Sequence, residues 1–380
     1  MDNNFVIGAD LSLLKRTLDQ GGTYHVDGSP IEDPVSFFYA SGFKWARLRL
    51  FHTPTGQGAQ CTDLPYTLAL AAKLVEAGYK FLLDIHYSDT WADPGKQNKP
   101  AAWEAYDFND LEAAVYLYSR EVVIEFINAG AEPDMVQVGN EITPGMLWED
   151  GRVATAHDVN TPHWQYEESS NEKDAWVRFG KLLKAGIKGV HEATGKPTQI
   201  MIHIDRGGDI PTNKWFFDKL LQEGVEFDAI GESYYPFWHG MPEELAETLD
   251  FLGKNYGKDI YLAEVAYPYK HHEMYENALN GDQEGWERLT GAYPLTPEGQ
   301  QRFMKHVIEI VKASSHGKGI FYWAPEWIPV AGTEDEADAP PCWARALFDE
   351  TGKALPALKM LKSISTDGVP VPSPTNTLLV

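Results

Sequence analysis

The sequence has only two cysteines, Cys61 and Cys342, in 380 residues. They suffice for one disulfide or two separate thiols, and they cannot build a structural zinc site alone. No run of about 18 apolar residues occurs, so no membrane-spanning segment is expected. Basic residues are scarce: 32 Lys and Arg stand against 56 Asp and Glu, a formal net charge of −24. That imbalance disfavours nucleic acid and anionic membrane as partners. There is no G-x-G-x-x-G or P-loop turn, no G-x-S-x-G elbow, and "HHE" (His271–Glu273) lacks zincin spacing. Dinucleotide, nucleotide, serine-esterase and zincin chemistry are thereby disfavoured.

What is present is a large apolar and aromatic content. Hydrophobic residues make up 43% of the chain, with 12 Trp, 18 Tyr and 17 Phe. This is ample for a sizeable core. Aromatic faces left over near loops would suit sugar rings, whose C–H surfaces pack on them.

Eight short β-branched or aromatic runs recur along the chain. They are Phe5–Asp10, Trp45–Phe51, Lys80–Tyr87, Asp134–Ile142, Thr198–Ile204, Phe227–Tyr235, Asp259–Tyr267 and Gly319–Trp327. Helical patterns lie between them. "TLALAAKLVEAG" (Thr67–Gly78) stops at a glycine, "AWVRFGKLLKAGIKGVHEATG" (Ala175–Gly195) behaves likewise, and Thr296–Ser314 opens with Thr296 as cap and Pro297 just inside. Eightfold strand–helix alternation predicts a single α/β domain, a (β/α)₈ TIM barrel over residues 1–362. Residues 363–380, "SISTDGVPVPSPTNTLLV", read as a Pro-rich tail or the start of a linker. The acidic stretch Ala331–Pro341 reads as a solvated loop, with a calcium site as the weaker alternative.

In such a barrel the chemistry sits where strands run into the following loops. The strand ends supply Asp10; Arg47 and Arg49; Asp84, His86 and Asp89; Asn140 and Glu141; His203 and Asp205; Glu232, Tyr234 and Tyr235; Glu264 and Tyr267; and Trp323 and Glu326. Any one of these could be a rim ion pair, and Arg47 or Arg49 could simply neutralise Glu264. So many acids together are harder to explain that way. The stretch "VQVGNEITPG" (Val136–Gly145) ends an apolar run on Asn140 and Glu141. A carboxylate placed there needs a partner or a task. Glu264, three strands on, faces it across a closed barrel. Paired carboxylates flanking a bond are what glycoside hydrolysis requires, one protonated and one ionised. An Arg near Glu264 would hold it ionised, and His86 or Tyr235 could do so by donating hydrogen bonds.

At these residues the chain resembles glycoside hydrolase family 53, the endo-β-1,4-galactanases of the retaining clan A barrels. The likeness rests on "GADLSLL" (Gly8–Leu14), "LDIHYSDTWADPGKQNKPAAW" (Leu83–Trp103), "VQVGNEITPGMLW" (Val136–Trp148), "GESYYPFWHG" (Gly231–Gly240), "AEVAYPY" (Ala263–Tyr269) and "FYWAPEWIP" (Phe321–Pro329). The resemblance implies Glu141 as acid/base and Glu264 as nucleophile. It implies Arg47, His86, Asn140 and Tyr235 as supports around the sugar, with Trp323 as a platform beneath it. Asp89, Trp91, His203, Asp205 and Trp238 would line a groove, and Arg49 and Tyr234 join this set of expected substrate contacts. The implied substrate is β-1,4-galactan, with no required cofactor or metal, no nucleic-acid or membrane partner, and a monomeric state. By family habit the protein would be secreted or periplasmic with its signal removed. "MDNNFVIGAD" has no signal peptide, which leaves a cytoplasmic location open.

Three departures accompany the resemblance. Ala324 stands where an acid is expected on the last strand, with Glu326 two places on and on the same face if the strand continues. Glu232 replaces an apolar residue. The loop after Tyr267 does not follow a calcium-loop pattern, so structural calcium is not supported. The rival readings are a clan A mannan- or arabinan-acting enzyme, a barrel that binds glycans without cutting them, and a metal-dependent isomerase. In the last, Glu141, His203, Asp205, Glu232 and Glu264 would ring a divalent cation.

Overall fold

The computed structural model describes residues 5–154, 172–275, 278–330 and 342–366. Eight parallel strands close into a barrel. They are β1 (Val6–Asp10), β2 (Trp45–Leu50), β3 (Lys80–Ile85), β4 (Met135–Val138), β5 (Gln199–Ile204), β6 (Ala229–Tyr234), β7 (Asp259–Val265) and β8 (Gly317–Trp323). Each pairs with its neighbours in sequence, and β1 closes the ring against β8 in the register Val6 to Gly319 through Asp10 to Trp323. All eight expected runs are barrel strands, but several stop two to four residues early, and the missing residues form the mouth.

Helices follow each strand and cover the outside. Their starts follow local chemistry. Asp63, Asp107 and Asp209 cap the helices Leu64–Glu76, Phe108–Asn128 and Ile210–Gln222, accepting hydrogen bonds from backbone N–H groups of the first turn. Thr296 caps Pro297–Ala313 through Gly299 N–H, with Pro297 at the first position. Among the described residues no helix is long and apolar enough to cross a membrane. The segment Ala331–Pro341 and residues 367–380 lie outside the described residues.

Alternation along the strands divides the interior in two. Leu48, Leu83, Val136, Ile202, Ile230, Leu262 and Tyr322 face outward and pack with the helices in the main core. Trp45, Leu82, Met135, Met201, Ala229, Tyr261, Ala263 and Phe321 point inward and fill the lower barrel as a separate apolar plug. One turn higher, the inward positions become Asp10, Arg47, Asp84, Gln137, His203 and Ser233, all buried. The plug closes the bottom of the barrel and leaves the polar layer open only at the C-terminal ends of the strands.

Two local irregularities bring the carboxylates to this layer. Strict alternation places Glu264 on the outer face with Leu262. Instead β7 carries a bulge: Glu232 pairs with Leu262 but the next residue, Ser233, pairs with Glu264. Ala263 is the extra residue, and the bulge turns Glu264 inward. At β4 the ladder ends at Val138. Gly139 takes φ +86° and Glu141 φ +47°. A Cβ at Gly139 would meet Ile142 Cγ2 at 2.7 Å, so this turn requires glycine. The kink lets the consecutive residues Asn140 and Glu141 both reach the mouth. A left-handed glutamate is the kind of strain that concentrates at functional sites.

Candidate active site

Arg47 organises the site from β2, only 1% exposed. Its Nη1 lies 2.8 Å from Asp10 Oδ2. Its Nη2 lies 2.8 Å from Asp84 Oδ2 and 3.0 Å from Glu264 Oε1, and also donates to Asn140 Oδ1 at 2.8 Å. Nε donates to Gln137 Oε1 at 3.2 Å. Burying this cation and these acids is tolerable because they pair and because further hydrogen bonds saturate the guanidinium.

Glu264 also accepts a hydrogen bond from Tyr235 Oη at 2.9 Å. Burial pushes its carboxyl above the usual range, while Arg47 and Tyr235 pull it back toward the ionised form. Glu141 is held differently. Burial pushes it well above the usual range, and the charges of Glu264 and Asp205 add to that. One donor, Ser233 Oγ at 2.6 Å, opposes the shift. No cation contacts Glu141 among the described residues. The environments therefore separate the pair: Glu141 keeps its proton to higher pH, and Glu264 is the carboxylate favoured to ionise.

Behind Glu141 runs a buried relay. Ser233 Oγ–H donates a hydrogen bond to Glu141 Oε1 at 2.6 Å, so its oxygen accepts from His203 Nε2–H at 2.9 Å. His203 Nδ1 lies 3.0 Å from both Gln137 Nε2 and Asn140 Oδ1, and the Gln137 amide donates to Asp84 Oδ1 at 2.6 Å. Burial, then the charge of Arg47, holds His203 well below the ordinary histidine range, so it stays neutral. The relay joins the Arg47 cluster to Glu141. Gln137 and Ser233 escaped the sequence reading because neutral side chains on apolar strands carry no signal of their own. Their inward parity was the one available cue.

The expected substrate contacts have different settings in the barrel. Tyr234 points outward: it is fully buried, stacks on Phe303 of a covering helix, and donates to Gly240 O. It cannot reach a ligand in the barrel. His203 is sealed behind Glu141. His86 holds Asp84 through Nε2 at 3.1 Å rather than Glu264, while its Nδ1 accepts from Ala92 N. Asp89 ties loops together by accepting from Thr53 N and Ala101 N, both at 2.9 Å. Asp205 is buried against Arg206 and Thr143, and its carboxyl is pushed up to about 6 by burial. Arg49 lies over Trp91, 4.0 Å from the ring centroid. Glu326 does not continue the face of β8. That strand ends at Trp323, Ala324 turns left-handed at φ +51°, and Glu326 is buried accepting from Leu13 N at 3.0 Å. Glu232 faces outward and accepts from Arg206 N at 3.0 Å.

Left at the mouth are Asn140, Glu141, Glu264, Tyr235, Trp91, Trp238 and Trp323. Trp91 and Trp323 meet with centroids 6.3 Å apart, and Tyr235 meets Trp238 at 5.5 Å. Glu141, His203 and Glu264 each offer a ligand atom within 4.8 Å of the others. A cation there would have to break the relay, because both His203 nitrogens already have partners. Asp205 and Glu232 face other partners. Cys61 and Cys342 are separate free thiols.

A (β/α)₈ barrel whose mouth holds two carboxylates of unequal proton affinity, walled by tryptophans, defines a glycoside hydrolase. Residues 6–361 match the family model described as Glycosyl hydrolase family 53, and the chain belongs to that family. A Niallia circulans protein, described as an uncharacterized protein in the bgaB 5' region, is 39% identical and covers 94% of both chains. The arabinogalactan endo-β-1,4-galactanase of Cellvibrio japonicus is 32% identical over 94% of this chain and 91% of its own. The solved Ignisphaera aggregans GH53 catalytic domain superposes with a TM-score of 0.81 at 32% identity, covering 95% of this chain and 96% of that one.

Proposed function

We propose that this protein hydrolyses internal β-1,4-galactosidic bonds of galactan by a retaining double displacement. The observation that carries the mechanism is the carboxylate pair: oxygens of Glu141 and Glu264 lie within 4.8 Å of each other. That spacing favours direct attack, since inverting enzymes hold their carboxyl groups roughly 6.5–9.5 Å apart to admit a water. The substrate rests on the galactanase relatives. Glu264, oriented by Arg47 and Tyr235, attacks the anomeric carbon. Glu141 gives its proton to the departing glycosidic oxygen. The glycosyl–Glu264 ester is then hydrolysed by water, whose proton Glu141 takes up.

The test is digestion of β-1,4-galactan with product chromatography and NMR of the first-formed anomer, beside Glu264→Ala and Glu141→Ala. Short β-configured galacto-oligosaccharides from the parent are expected, with losses of about 10⁴-fold in Glu264→Ala. Cleavage of mannan or arabinan instead would keep the mechanism and move the substrate. First-formed α-products would overturn retention. No cleavage of any glycan, with chelator-sensitive isomerisation of a free sugar instead, would favour the isomerase reading.

A further inference from the structure

Arg345 has no place in the chemistry described above, and its surroundings are unusual for a cation. It is 5% exposed, yet no carboxylate pairs with it among the described residues. Its only side-chain hydrogen bond among them is from Nη2 to Cys342 Sγ at 3.3 Å, and Nε has no partner. Its guanidinium carbon lies 4.9 Å from the ring centroid of Trp323, 5.2 Å from Tyr235 and 5.8 Å from Trp238. These rings wall the mouth, and the Tyr235 hydroxyl is the one that holds Glu264. The strand acids that could have neutralised it do not: position 324 is alanine, and Glu326 is turned away to Leu13.

The backbone beneath the side chain is fixed. Tyr322 Oη donates to Arg345 O at 2.6 Å, Tyr269 N to Ala344 O at 2.8 Å, and Leu347 N to Pro325 O at 2.9 Å. A buried guanidinium is costly when its charge is uncompensated, and cation–π contacts recover only part of that. A planar fork whose donors are largely unspent among the described residues, held rigidly against apolar walls, matches the geometry of a carboxylate.

We propose that Arg345 binds the carboxylate of an acidic sugar, a uronic acid unit seated against the Tyr235–Trp238–Trp323 wall beside the cleavage point. This rests on the glycanase reading and extends it: the enzyme accepts chains in which acidic units interrupt or decorate the neutral polymer.

The experiment compares galacto-oligosaccharides of equal length, neutral or bearing one uronic acid unit. They are assayed with the parent, Arg345→Gln and Arg345→Lys. The expected result is that the acidic-to-neutral ratio of kcat/KM falls about tenfold in Arg345→Gln and recovers in part in Arg345→Lys. An equal loss on both substrates would overturn the proposal and leave Arg345 a packing residue. A second arm needs no variant. Free galacturonate should inhibit the parent about tenfold more strongly than galactose, and equal inhibition would overturn the proposal even if Arg345→Gln does not fold. If the parent cleaves no galactan, the glycanase reading fails by itself. Calorimetric titration of a galacturonate oligomer into parent and Arg345→Gln then still decides whether Arg345 binds the acid.

Discussion

At the scale of single residues, proton affinity is set by who donates to whom. Glu141 has one hydroxyl, Ser233, opposing burial and three negative charges, of Glu264, Asp205 and Asp93. Removing that donor in Ser233→Ala raises the Glu141 pKa further. As the acid must be protonated to act, the alkaline limb of the kcat/KM profile should move to higher pH, with a loss at the optimum of less than about tenfold. An unmoved limb would mean that Ser233 only packs. Glu326 offers a stability test. Burial, with the charge of Asp10, pushes its carboxyl up to about 8. The fold therefore keeps a proton that the unfolded chain releases. Its contribution is intact below the ordinary glutamate pKa and is lost as pH rises toward 8, at about 1.4 kcal/mol per pH unit. Glu326→Gln retains an acceptor for Leu13 N–H. It should match the parent near pH 4.5 and melt at higher temperature near pH 8, as scanning calorimetry would show.

At the scale of elements, Arg47 ties together strands from both sides of the barrel. Through Asp10, Asp84, Gln137, Asn140 and Glu264 it links β1, β3, the end of β4 and the bulge of β7 to its own strand, β2. Arg47→Met leaves Asp10 and Asp84 buried without their cation. Denaturant titration should show a loss of about 3–5 kcal/mol. Arg47→Lys should recover only part, because one ammonium cannot serve acceptors spread around a planar fork. A neutral effect would show that water replaces the guanidinium. The bulge explains how a strand can be continuously apolar on its outer face and still present Glu264 to the interior.

At the scale of the whole molecule, a net charge of −24 surrounds a site expected to take a neutral polymer. Long-range steering has nothing to act on. Between about 20 mM and about 500 mM salt, kcat/KM on neutral galactan should change less than roughly twofold, while the melting temperature rises as self-repulsion is screened. A steep fall in kcat/KM with salt would instead point to a cationic ligand.

The barrel was legible in the sequence because its signals are local: eight apolar runs, helices at 3.6-residue spacing, and caps such as Thr296–Pro297. The pair Glu141 and Glu264 was legible because carboxylates at the ends of buried strands are costly without a task. Which neighbours serve them was not. Alternation assigns Glu264 to the outer face, and only the bulge reverses it. The family resemblance suggested His86 and Asp205 as ligand contacts, and a strand-end position suggested Tyr234, whereas the fold turns Tyr234 into the helix layer and pairs the other two with buried partners. Gln137, Ser233 and Arg345 acquire their meaning from residues 22 to 110 positions away, a distance over which chain order says little about contact. Periodicity and capping are properties of the chain. Charge pairing, proton affinity and the direction of each inward side chain at a bulge belong to the closed barrel alone.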